Sequence, residues 1–92
     1  MDEYEVDSKI TGLRNWVVPV PGTTVTAYLG RFDARPDRWV YSLWTGRNGE
    51  PGDTELISTD SIDFPADPVP ITVTPLQVAK IAFLLDVEYA DQ

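Results

Sequence analysis

The chain has 92 residues with a net charge of −8 and neither cysteine nor histidine. That length suits one domain, and an apolar share of 42% with 11% aromatics supplies a core, which excludes a fully disordered chain. Disulfides, thiolate metal sites and the common Cys- or His-based nucleophilic machinery are excluded with those two residue types, and the acidity argues against direct binding of nucleic acid or anionic membranes.

Residues 1–9 carry Asp2, Glu3, Glu5 and Asp7 against Lys9 and read as a flexible acidic lead-in to a single domain over 10–92. The lead-in resembles neither a secretory signal nor a transit peptide, and no stretch has the length and apolarity of a membrane span, so the expected location is the cytoplasm.

Leu13 to Val20 is rich in strand formers, with Pro19 confined to a strand end or an edge. Pro21-Gly22 presets a turn, Pro fixing φ at its second position and Gly accepting positive φ at its third. From Thr23 to Phe32 the chain alternates, Val25, Ala27 and Leu29 against Thr24, Thr26 and Tyr28. After the polar link 33–37, a third strand over Arg38–Thr45 sets Trp39, Tyr41 and Leu43 against Val40, Ser42 and Trp44, so both of its faces seek cover.

The turn-rich segment Gly46–Gly52 closes a hairpin to a fourth strand around Thr54–Thr59. Residues 60–70 hold three prolines and are expected to wrap the surface in extended form, pinned by Ile62 and Phe64, with Val69–Val73 able to add a short further strand. At the C-terminus Thr74, Pro75 and Gln77 spell an N-cap, a first-position proline and a capping box, predicting a helix over Pro75–Tyr89. Its projection gathers Gln77, Lys80, Leu84, Glu88 and Asp91 on the polar side, leaving Leu84 as an exposed apolar residue. The expected architecture is α+β: an antiparallel meander of about four strands with the C-terminal helix packed on one face, a small plugged barrel being the competitor.

Asp86 falls in the apolar arc of that helix, where an unpaired carboxylate would cost several kcal/mol. An arginine from the sheet, Arg14 or Arg31, is the expected partner; the alternative is that the arc is two stripes with Asp86 at the seam between core and solvent. Arg31, Arg35, Arg38 and Arg47 make the middle of the chain locally positive beside Tyr28, Phe32 and Trp39. They are expected to pair with local acids and fold over rings rather than to bind phosphate or bases.

Between residues 50 and 67 stand six acids, Glu50, Asp53, Glu55, Asp60, Asp63 and Asp67, and no base. Their spacing is not that of a calcium loop, and no catalytic, metal or cofactor constellation accompanies them. Either they form a solvated surface or, with Trp44 and Leu84, they meet a protein partner of opposite charge. The functional expectation is a non-catalytic acidic binding or inhibitory module, comparable in size and acidity to small phage or mobile-element accessory proteins. The alternative is a self-assembling subunit of a virion or other homo-oligomer; a carboxylate-based enzyme ranks third.

Overall fold

The computed structural model describes residues 3–46, 54–64 and 73–88. Five strands, β1 (Tyr4–Val6), β2 (Leu13–Pro19), β3 (Val25–Phe32), β4 (Arg38–Thr45) and β5 (Glu55–Asp63), form one antiparallel sheet in sequence order. The helix α1 (Pro75–Phe83) crosses one face and runs into a π-helical turn, Leu84–Glu88. The class is α+β, with five strands rather than about four.

The additional strand is β1, which lies within the expected acidic lead-in. Tyr4 and Val6 alternate with Glu5 and pair with Val17 and Asn15, while Glu5 sits opposite Trp16 and is gripped by Arg14 at 3.0 Å on both carboxylate oxygens. Alternation over three residues is too short to be told from chance in sequence. At the other edge, β5 continues to Asp63 rather than ending at Thr59, because Asp60–Asp63 pair with Arg38–Tyr41. Residues 65–70 of the proline-bearing segment, including Val69, lie outside the described residues.

Turn chemistry follows the sequence at 20–23: the Thr23 N–H reaches the Val20 carbonyl at 3.2 Å, with Gly22 at φ 75° behind Pro21. The helix start is likewise local. Thr74 Oγ1 accepts the Gln77 N–H at 3.2 Å and Gln77 Oε1 accepts the Thr74 N–H at 2.9 Å, completing the capping box.

The register assigns the faces. Trp16 aligns with Leu29 and Tyr41, and Val18 with Ala27 and Leu43, so these residues share the face that α1 covers. There Val18, Ala27, Leu43, Val78, Ala79 and Ala82 are fully buried, and Ile62 and Phe64 pack against the same cluster. Burial of this many aliphatic and aromatic groups, at about 1.5–3 kcal/mol for each large side chain, is what holds α1 to the sheet. The small Ala79 and Ala82 let the helix approach closely.

Candidate interaction surfaces

β5 is the last strand of the sheet, and among the described residues nothing pairs with its outer side. Most of its length is solvent-exposed. Three of the six sequence-selected acids, Glu55, Asp60 and Asp63, stand on it; Glu50, Asp53 and Asp67 lie outside the described residues. The three are not equivalent. Asp63 lies opposite Arg38 and accepts a two-pronged guanidinium bond at 2.7 and 3.0 Å, which holds its carboxyl below the usual range. No cation among the described residues pairs with Glu55 or Asp60.

A register shift between Leu43 and Trp44 accommodates Ile57 as an extra residue of β5. In consequence Glu55, Ser58 and Asp60, opposite Thr45, Leu43 and Tyr41, all sit on the helix-covered face. Asp86 arrives at the same corner from the π-helical turn. Its Oδ2 accepts the Tyr41 hydroxyl at 2.7 Å and the Ser58 hydroxyl at 2.9 Å. Burial and then the bond to Asp86 push the Tyr41 hydroxyl pKa well above its ordinary value, with the charges of Asp86 and Asp60 adding to the effect. Residues 55, 60 and 86 thus build an acidic corner where the β5 edge meets the helix end. Among the described residues no three carboxylates converge on a position for a metal ion.

The arginines expected to meet Asp86 are engaged elsewhere. Arg14 holds Glu5 and lies over the Trp16 ring at 5.0 Å. Arg31 lies 4.8 Å above the Trp39 ring and 5.4 Å from that of Trp16, the two indoles being 5.0 Å apart. Arg35 pairs with Asp37 and Arg38 with Asp63. This is the pairing and ring coverage read from the sequence; Arg47 lies outside the described residues.

The face opposite α1 is of a different character. Tyr4, Phe32, Val40 and Leu56 are exposed on it, around a shallow groove of about 480 Å³ lined by Val6, Leu13, Asn15, Phe32 and Val40. Gly30 forms its floor: a Cβ there would meet Val40 Cγ2 at 3.1 Å and Asn15 Oδ1 at 3.2 Å. Trp44 belongs to this face, half-buried, its Nε1 donating to Ser42 Oγ at 2.9 Å and its ring set edge-on to Tyr28. Leu84 does not join it. It is half-buried on the helix, and Leu85, 53% exposed, takes the outward position instead.

No family model, curated protein or solved structure matches this chain. The two surfaces therefore carry the functional argument. Sequence reasoning found the acids of β5 but missed that Asp86 joins them; its position in the apolar arc was the available signal, and its partners were misassigned. The exposed Phe32 and Val40 were missed as a surface because each reads as an ordinary strand residue. No described helix is long and apolar enough to cross a membrane.

Proposed function

We propose that this chain is a non-catalytic acidic module that binds a protein partner carrying basic side chains. The observation that supports it is the corner of Glu55, Asp60 and Asp86: Glu55 and Asp60 have no cationic partner among the described residues, and they stand on an exposed edge strand. The described arginines are paired with other acids or lie over rings, which leaves Glu55 and Asp60 uncompensated on this edge. Such uncompensated charge speeds encounter with a cationic surface and repels anionic ones. A chain without histidine or cysteine is a poor vehicle for acid–base or nucleophilic chemistry, which supports binding over catalysis.

Affinity capture from the native host's lysate, at low and moderate salt, tests this with the variant Glu55→Gln/Asp60→Asn as control. A partner retained by the wild type at low salt and lost both with the variant and with added salt is the expected result. A partner held equally by both proteins contradicts it.

The apolar face favours a second reading, self-association. Tyr4, Phe32, Val40 and Leu56 expose apolar surface on a face whose Arg38 and Asp63 neutralise each other, so two copies of an acidic chain can meet there without opposing unpaired carboxylates. A sedimenting mass that rises with concentration for the wild type but stays monomeric for Val40→Glu supports it; a monomer at all concentrations overturns it.

A further inference from the structure

The two edges of the sheet differ in what they offer to another chain. β1 presents only three residues, a short edge of the kind that limits pairing. β5 presents nine, with no proline or lysine to block an incoming strand. From Ser58 to Asp63 its pairing with β4 runs without interruption, so this stretch is a regular template beyond the bulge.

The direction of its amides is set by two hydrogen bonds. The Phe64 N–H turns inward to the Asp37 carbonyl at 2.7 Å. The Ser61 N–H turns the other way and donates to Asp60 Oδ1 at 2.8 Å. Strand alternation then directs the N–H groups of Thr59, Ser61 and Asp63 to the outer side. The Asp60 carboxylate is thus a removable cap on the middle of an edge that is unpaired among the described residues.

We propose that β5 takes up an extended, basic segment of a partner protein as a sixth strand, paired along Ser58–Asp63. This rests on the acidic-module reading and names its partner's form. An incoming Lys or Arg opposite Asp60 draws the carboxylate into an ion pair and releases the Ser61 N–H to the new ladder. A strand without that cation leaves the cap in place, so the same residue provides both attraction and selection. A second copy of β5 is disfavoured as the occupant. Every charged residue of the strand is acidic, so edge-to-edge pairing sets like charges against each other on molecules that already carry −8 each.

The test uses a short peptide of alternating lysine and valine, a version with glutamate for lysine, and two versions of the lysine peptide N-methylated at one or the other alternate set of amides. A strand paired along one edge uses only one of those sets. Binding of the parent to the full-length protein is expected, with a loss of roughly tenfold or more for the glutamate peptide and for one of the methylated forms, and slower exchange of the Ser61 amide in the complex. Equal binding of both methylated forms and the parent overturns strand addition while leaving charge-based binding intact. If the lysine peptide does not bind, strand addition also falls, and the lysate capture with Glu55→Gln/Asp60→Asn then decides the acidic-module reading by itself.

Discussion

The Tyr41 hydroxyl donates to Asp86 Oδ2 at 2.7 Å, tying β4 to the turn that ends the helix. Ser58 supplies the second hydroxyl at 2.9 Å, so one carboxylate oxygen joins β4, β5 and the helical layer. The arrangement satisfies a partly buried acid with neutral donors and leaves its negative charge uncompensated at the corner. Asp86 therefore contributes both to the fold and to the local field.

Removing that acceptor tests its structural role. Asp86→Ala strips both hydroxyls of their partner and is expected to cost about 1–3 kcal/mol, while Tyr41→Phe, which leaves the Ser58 bond, costs about 1 kcal/mol. A double-mutant cycle on the melting temperature should show the two changes to be non-additive, as for residues in direct contact.

Alkaline stability follows from the same bond. The neutral hydroxyl of Tyr41 is favoured in the fold by burial first and the neighbouring acid second, so its folded pKa lies above the unfolded value. The contribution is complete below the unfolded pKa of about 10 and declines as pH rises from there toward the folded value. Thermal melts should show the wild type losing stability above about pH 10 more steeply than Tyr41→Phe. Parallel curves would show that Tyr41 is not the group responsible.

The acid limb has the opposite sign. Hydrogen bonds from Arg14, Arg35 and Arg38 lower the pKa values of Glu5, Asp37 and Asp63, so their contribution is present above the ordinary carboxylate range and is lost as pH falls through the folded values. These pairs are exposed, and the effect is expected to be small and weakened by salt. The difference in melting temperature between wild type and Arg38→Gln should shrink on acidification below about pH 4.

How much of this was legible in the sequence depended on the range of the interaction. The alternation of Arg38–Thr45, the Pro21-Gly22 turn and the Thr74-Pro75-Gln77 cap are local signals, and each appears where its residues place it. β1 is held by its neighbour rather than by its own propensity, through the Glu5–Arg14 bond and the ladder to β2. The partner of Asp86 was misread because charge alone suggested arginine, whereas Arg31 is occupied by two indoles and Arg14 by Glu5. The acids of β5 were visible as a charge run, but their division into a neutralised Asp63 and unpaired Glu55 and Asp60 depends on the register with β4.

Two buried polar atoms mark sites for stabilisation and for a ring probe. Thr26 Oγ1 is buried and has no hydrogen-bond partner among the described residues, so Thr26→Val is expected to raise stability by about 1 kcal/mol, read as a higher melting temperature. Arg31→Met keeps an aliphatic cover on Trp16 and Trp39 but removes the cation; a loss of about 0.5–2 kcal/mol and a changed tryptophan emission are expected.

The most direct measurement of the central claim is the footprint of a captured partner on the isotope-labelled protein, read amide by amide by NMR. The acidic-edge account predicts the largest shifts at Thr59, Asp60 and Ser61, with slowed exchange at Ser61 and accompanying change at Asp86. Shifts centred on Gly30, Phe32 and Val40, with β5 unmoved, would contradict it and assign binding to the apolar face.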